Sequence, residues 1–274
     1  MQPLAWRQSN LCRLNTDNPD YELSLLLEHI TGLNNVQQRI SSRPLSAEEL
    51  QRLETYLLRR IAGEPMAYIL GTQAFYDIEL RVNPHTLIPR PDTEILVEAA
   101  LEKIPHDAAW QIADLGTGSG AIAISIAKHR PHCRLIAVDK SIAALQTAAE
   151  NALLNKVDNI QFICANWLDC FAAQSFTVIL SNPPYIAAND SHLPALQYEP
   201  QSALIAANQG LADLQHIIQD AEQKLTTQGY LIVEHGWQQA AALQTFAAQS
   251  GKWQDIHSRK DYGGNERITL MQKS

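Results

Sequence analysis

The chain has 274 residues, which at roughly 150 residues per domain suggests about two domains, or one large elaborated domain. Apolar residues make up 46% and charged residues 18%, so a sizeable core is possible and a wholly disordered or collagen-like chain is excluded. The formal charge of -8 argues against broad electrostatic capture of nucleic acid, although a local basic patch can survive within it. The four cysteines form no CxxC pair and read as free thiols rather than a disulfide framework. No stretch approaches about 18 consecutive apolar residues, and the first residues lack a hydrophobic signal core. The expectation is a cytoplasmic protein without membrane association.

Near the N-terminus, Asn18 followed by Pro19 has the form of a helix cap and first helical position. Leu23, Leu26, Leu27 and Ile30 then recur at helical spacing. Ser46 and Glu49 make a capping-box pattern, followed by the stripe Leu50, Leu53, Leu57 and Ile61. The segment reads as a small helical bundle, serving either as a structural unit or as a substrate-docking module. Through Arg90 the chain carries ten acids and nine bases, against nineteen and twelve in the remainder. The N-terminal part is therefore the less repulsive surface toward an anionic partner.

Gly71, Phe75, Tyr76, Ile78, Leu80 and Val82 suggest short alternating strands, a hairpin between domains. Pro89 and Pro91 then flank Arg90 and limit its backbone freedom. From Asp92 the pattern becomes α/β. Helices are predicted at 94–103, 120–128 and 142–153, with an exposed Ala/Gln-rich helix in 237–249. Strands are predicted at 112–115, 134–139, 160–164, 176–181, 230–234 and 267–271. Strands alternating with helices imply a mostly parallel sheet covered on both faces, which binds ligands beyond the carboxyl ends of its strands. The predicted organisation is a helical domain at 1–72, a hairpin linker at 73–88 and an α/β domain at 89–274.

The run Asp114-Leu115-Gly116-Thr117-Gly118-Ser119-Gly120 ends a predicted strand and enters a helix. Glycines permit a sharp turn and close backbone approach, and the N–H groups at a helix start favour an anionic group. The spacing is GxGxG, neither the GxGxxG dinucleotide fingerprint nor a P-loop. Asp139, twenty-five residues after Asp114, ends the next predicted strand, where a carboxylate can accept both hydroxyls of a ribose. A structural turn alone accounts for the glycines; the acid adds the case for an adenosine-containing ligand. The pair resembles the S-adenosylmethionine site of class I methyltransferases. That resemblance implies a cofactor set of Asp114, Gly116, Thr117, Gly118, Gly120 and Asp139, with Asn166 and Trp167 at the adenine and Asn182 at the inner end. Many relatives carry aspartate where this chain has Asn166; an amide still offers an adenine edge both a donor and an acceptor.

Asn182-Pro183-Pro184-Tyr185 follows the hydrophobic run 176–181. Two prolines in series end a strand and stiffen the turn. A rigid loop with a buried tyrosine is one reading; a site for planar nitrogen is the other. An amide or aromatic amine attacks weakly because its lone pair is delocalised, whereas a methyl sulfonium is an excellent donor. The protein mainly has to aim the nitrogen and support developing charge. Asn182 Oδ1 can accept one N–H, the Pro183 carbonyl another, and Tyr185 can pack over the planar group. Asn182, Pro183 and Tyr185 are thus the candidate catalytic residues, with Pro184 completing the substrate turn.

The wider set resembles the release-factor glutamine N5-methyltransferase family, also called the PrmC or HemK family. It comprises Gly63-Glu64-Pro65, Gly71 with Phe75, Leu87-Ile88-Pro89-Arg90-Pro91-Asp92-Thr93-Glu94, Glu234-His235-Gly236, and the run from Lys260 to Arg267. The resemblance spans nearly the whole chain. It implies a Rossmann-like class I methyltransferase domain behind a small helical-bundle domain and a short β-hairpin linker. It implies methyl transfer from S-adenosyl-L-methionine, leaving S-adenosyl-L-homocysteine, to the glutamine of the Gly-Gly-Gln loop in peptide chain release factors. A monomer that needs no direct nucleic-acid contact is expected. Arg90 reads as either a site residue or an interdomain ion pair, Phe75 as a cavity wall or core filler, and Glu199 as a support for the active-site loop. No metal-ligand set stands out. The competing readings are a DNA adenine N6-methyltransferase, which requires a flipped base, and a non-enzymatic cofactor-binding or ribosome-associated module.

Overall fold

The computed structural model describes residues 1–274, which divide into two compact units, Met1–Gly71 and Thr72–Ser274. The first unit is helical: α1 (Pro3–Asn10), α2 (Pro19–Thr31), α3 (Asn35–Ile40), α4 (Ala47–Ile61) and α5 (Met66–Leu70). Local chemistry sets its ends. Asn18 accepts the Tyr21 N–H to start α2, and Gly32 closes it in the left-handed conformation. Asn34 with Gln37, and Ser46 with Glu49, form capping boxes on α3 and α4. Trp6, Leu23, Leu26, Leu27, Ile30, Leu53 and Leu57 fill the core. The predicted stripe on α4 holds for Leu53 and Leu57, but Ile61 is exposed. Each four-residue step advances about 40° around the helix, so two steps carry Ile61 off the face that Leu53 buries. One buried cation sits in this unit. Arg7 pairs with Asp20 and donates to Asn35 Oδ1 at 2.7 Å and Gln38 Oε1 at 3.3 Å.

The second unit opens with the antiparallel hairpin β1 (Thr72–Phe75) and β2 (Ile78–Arg81). The hairpin packs within this unit: Phe75, Ile78 and Leu80 join its core, and Asn151 bonds both the N–H and the carbonyl of Arg81. There follow α6 (Glu94–Lys103), β3 (Gln111–Leu115), α7 (Ala121–His129), β4 (Arg134–Asp139), α8 (Ile142–Leu154), β5 (Ile160–Cys164) and β6 (Phe176–Ser181). The chain ends with α9 (Ala212–Lys224), β7 (Leu225–Glu234), α10 (Ala240–Gln249), β8 (Trp253–Lys260) and β9 (Glu266–Lys273).

Seven strands form one sheet in the order β5-β4-β3-β6-β7-β9-β8. The first five are parallel, and β9 and β8 add antiparallel pairings. Alternate residues of each inner strand enter cores on opposite faces. Ile112, Val178 and Ile232 join one, with α6 and α7; Ala113, Ile179 and Val233 join the other, with α9 and α10. Successive connections run outward in opposite directions from β3 and β6. Their carboxyl ends therefore border the crevice where such sheets take ligands.

The differences from the sequence reading have local causes. β7 begins at Leu225, before the predicted 230–234; its pairing with β6 shifts register between Phe176 and Val178, so no two-residue alternation marks Thr226 to Gly229. β8 is a polar edge strand whose register with β9 slips between Gln254 and His257, so no alternation survives to be read. The helix predicted in 237–249 starts at Ala240 and buries Leu243 and Ala247, so it is not exposed all round. The Asp261–Asn265 stretch is the turn joining β8 to β9, closed by Asp261 N–H to the Asn265 carbonyl at 2.8 Å.

Candidate active site

A cavity of about 270 Å³ lies beyond the carboxyl ends of β3, β4 and β6. Gly116, Thr117 and Gly118 line it after β3, Asp139 to Ser141 after β4, Asn166 and Trp167 after β5, and Asn182 and Pro184 after β6. Most of the residues singled out for a ligand thus meet in one place, although sequence separates them by up to 68 positions, Gly116 to Pro184.

The glycine turn is held from two sides. The Gly116 and Thr117 N–H groups donate to the Val138 carbonyl at 2.8 and 2.9 Å. Gly118 N–H donates to Asp139 Oδ2 at 3.0 Å, and Ser141 N–H donates to Asp139 Oδ1 at 2.8 Å. Both carboxylate oxygens are therefore aimed by backbone, yet each keeps a lone pair for another donor. Gly116 has φ +71, and a Cβ there would stand 3.2 Å from Trp167 Cζ3. Glycine is needed at that point both for the backbone and for the indole that lies over it. A Cβ at Gly118 would meet nothing nearer than the Gly116 carbonyl at 4.0 Å, so the wall there is bare backbone. These features fit an adenosine-containing cofactor: a ring surface at Trp167, a carboxylate at Asp139 and an open glycine wall.

Two members of the predicted cofactor set stand behind that wall. Asp114 is buried and absent from the cavity lining; its Oδ2 accepts Thr117 Oγ1 at 2.6 Å and Ala123 N–H at 3.1 Å. Burial raises its carboxyl to about 7, against the opposing pull of those two bonds. Asp114 buttresses the turn. Gly120, with φ +86, starts α7, and its Cβ position lies 2.8 Å from Ile124 Cδ1. Asn166 keeps its place at the cavity, with Nδ2 donating to Asp169 Oδ2 at 3.0 Å.

The Asn-Pro-Pro-Tyr turn is built the same way. Asn182 is half-buried, and its Nδ2 donates to Thr93 Oγ1 at 3.1 Å, which fixes the amide and leaves Oδ1 to accept. Pro183 and Pro184 are buried, and only Pro184 lines the cavity. Tyr185 packs against the α9–α10 core, and its hydroxyl donates to Glu234 Oε1 at 3.1 Å. Burial and the Glu234 charge push the phenol well above its usual range. The Tyr185 carbonyl accepts Gln239 Nε2 at 3.0 Å, and Gln239 Oε1 accepts Gly236 N–H at 2.9 Å. Gln239 thus clamps the turn to the loop after β7.

Arg90 lines the cavity and is ion-paired with Glu199, whose other oxygen accepts Ile88 N–H at 3.0 Å. Both partners belong to the second unit, so the ion pair is not an interdomain one. Glu199 is 5% exposed and fixes the strand-like segment around Arg90 beside Pro200, Ser202 and Ala203, which also line the cavity. Phe75 is 1% exposed within the core and is not a cavity wall. Thr93, Gln239 and Glu234 are working parts that motif spacing did not single out by role. Asp169, His216 and Asp220 place one potential ligand atom each within 4.8 Å of one another, a cluster that spacing along the chain does not reveal.

A parallel sheet that gathers a bare glycine turn, a strand-end acid and an Asn-Pro-Pro-Tyr turn around one cavity belongs to the class I methyltransferases. Residues 92–198 match the family model "Methyltransferase small domain", and residues 2–71 match "PrmC N-terminal domain". The fold is shared with a methyltransferase from Pyrococcus furiosus (TM-score 0.54, 14% identity, covering 83% of this chain and 98% of that one). It is shared also with the ribosomal protein L11 methylase of Lactobacillus delbrueckii subsp. bulgaricus (TM-score 0.51, 21% identity, covering 71% and 84%). Release factor glutamine methyltransferase of Salmonella typhimurium is 43% identical over 258 residues, 93% of this chain and 92% of the relative. Its Escherichia coli counterpart is 41% identical over 274 residues, 98% of each. The chain belongs to the release factor glutamine methyltransferase family.

Proposed function

We propose that this chain is an S-adenosylmethionine-dependent methyltransferase acting on the side-chain amide of the glutamine in the Gly-Gly-Gln loop of peptide chain release factors. Family membership across nearly the full chain supports the substrate. The observation that carries the chemistry is the amide of Asn182, whose nitrogen is committed to Thr93 while Oδ1 stays available. An acceptor fixed in this way selects a substrate N–H and orients the nitrogen, which is the main demand of methyl transfer to a weak nucleophile. The Pro183 carbonyl is the proposed acceptor for the second N–H, and Tyr185, which is off the cavity lining and packed in the core, braces the turn rather than covering the amide.

S-adenosylmethionine, when bound, supplies an activated methyl group. Asp139 accepts its ribose hydroxyls, Trp167 and Asn166 border the adenine, and Gly116 to Gly118 border the methionine portion. Arg90, held by Glu199, lines the same cavity. The helical unit, residues 1–71, contributes to docking the protein substrate. The test uses methyl-labelled S-adenosylmethionine and a release factor whose Gly-Gly-Gln glutamine is replaced by asparagine. Labelling of the unaltered release factor that vanishes with the replacement supports the proposal; equal labelling of both would refute the assigned substrate atom.

A further inference from the structure

One fully buried acid is unused by this scheme. Glu234 ends β7, next to β6 in the sheet. The last paired residues of those strands are Ser181 and Val233, so the same register puts Asn182 and Glu234 side by side as the strands run out. Glu234 Oε1 accepts the Tyr185 hydroxyl at 3.1 Å, while Oε2 is buried with no hydrogen-bond partner. The Thr93 hydroxyl, which receives Asn182 Nδ2, is among the groups that pull the Glu234 carboxyl down. An orphaned buried carboxylate oxygen is costly, and it is kept here beside the one turn that has to hold a substrate nitrogen.

We propose that Glu234 is a positioning residue for methyl transfer: its carboxylate anchors the Tyr185 end of the Asn-Pro-Pro-Tyr turn directly and lies beside the Asn182 end through the β6–β7 register. This rests on the proposed reaction and adds a residue to it. The negative charge does a second thing. As the attacked nitrogen gains a bond to carbon it gains positive charge, and a fixed carboxylate in a dry setting stabilises that change.

The charged and titratable groups around Glu234 are few. Tyr185 comes from the turn, Asp92 from the segment before α6, Arg267 from β9, and His235 follows it on the chain. Arg267 is shared among Asp92 at 3.3 Å and Asp261 at 3.0 Å, so it does not neutralise Glu234 alone. His235 bonds Thr269 Oγ1 at 2.8 Å, and burial lowers its pKa, which favours the neutral ring. Burial raises the Glu234 carboxyl to about 7, with Thr93, Tyr185 and Arg267 pulling it down. The carboxylate that grips Tyr185 is therefore lost as pH falls through about 7.

The test measures kcat and KM from about pH 6 to about pH 8.5 on release factor, for wild type, Glu234→Gln and Tyr185→Phe. Affinity for S-adenosylmethionine is measured by calorimetry, and folding by circular dichroism. Wild type is expected to lose turnover as pH falls below about 7. E234Q, isosteric and uncharged, should be about tenfold slower than wild type at high pH, with that limb flattened and cofactor affinity unchanged. Y185F removes a bond that lowers the Glu234 pKa, so its limb should move to higher pH. Wild-type turnover and pH dependence in E234Q, or a limb in Y185F that stays in place, would overturn the proposal. A wild-type enzyme that never labels release factor would instead refute the proposed reaction, and the calorimetric and folding data would keep the two failures apart.

Discussion

Asp139 and Asn182 do their work through what holds them. Asp139 has both oxygens aimed by the N–H groups of Gly118 and Ser141, so removing it should loosen the glycine turn as well as cost the proposed ribose contacts. Asp139→Ala should weaken S-adenosylmethionine binding by about tenfold to a hundredfold, as loss of charge-assisted hydrogen bonds implies. Calorimetry reads this directly, and unchanged affinity would remove Asp139 from the ribose. Asn182→Ala should lower kcat by about a hundredfold while sparing most cofactor affinity, because its acceptor matters most in the transition state. An equal loss of affinity and turnover would count against that role. Asp114 gives a stability test. Its carboxyl sits at about 7 in the folded chain against an ordinary 3.8, so the folded state binds the extra proton between those values. The stability it adds is complete below about pH 4 and disappears as pH rises towards 7. The advantage of wild type over Asp114→Asn should therefore shrink between about pH 5 and about pH 7, by at most about 1.4 kcal/mol per pH unit. Thermal unfolding at each pH measures it; a pH-independent difference would mean that the carboxyl ionises normally.

The elements were legible wherever one signal dominated. Strands β3 to β6 are short apolar runs, and α6 and α8 carry strong helical periodicity, so sequence expectation and structure agree on them to within a residue. α9 was not predicted, although Leu214, Ile217, Ile218 and Ala221 carry helical spacing in it. The bulged start of β7 and the polar edge β8 were not legible, because an extra residue or a solvent-facing edge destroys the two-residue period. At the site, the glycine turn, Asp139 and the Asn-Pro-Pro-Tyr turn were readable because each is a local pattern. The partners that aim them, Thr93, Glu199, Glu234 and Gln239, lie from 49 to 109 residues away from the groups they hold: Glu234 is 49 from Tyr185, Gln239 is 54 from Tyr185, Thr93 is 89 from Asn182 and Glu199 is 109 from Arg90. Only folding brings them together. The loop carrying Gly210 shows how tight that assembly is. Gly210 has φ +85, and a Cβ there would lie 2.1 Å from the Tyr185 carbonyl oxygen. Gly210→Ala should displace the Tyr185 end of the turn, lowering turnover at least about tenfold and stability by about 1–3 kcal/mol. Kinetics with thermal unfolding decides it, and a variant with wild-type values in both would show that the loop yields freely.

At the scale of the whole molecule, the chain is two units with separate cores, one helical and one a seven-stranded α/β sheet. Every residue lining the cavity lies between Pro84 and Ala203, within the second unit. A fragment of residues 72–274 should therefore bind S-adenosylmethionine with affinity close to that of the full chain. Calorimetry on the folded fragment tests this, and loss of binding there would mean that the helical unit completes the cofactor site. The net charge of -8 is compatible with a partner that is a protein loop rather than a phosphate backbone. The central claim is the identity of the atom that receives the methyl group. It is tested most directly by incubating the protein with labelled S-adenosylmethionine and equal amounts of release factor and unmethylated DNA, then mapping the label by mass spectrometry. The expected result is a single methyl on the side-chain nitrogen of the Gly-Gly-Gln glutamine and none on DNA. Label on adenine, with the glutamine unmodified, would contradict it.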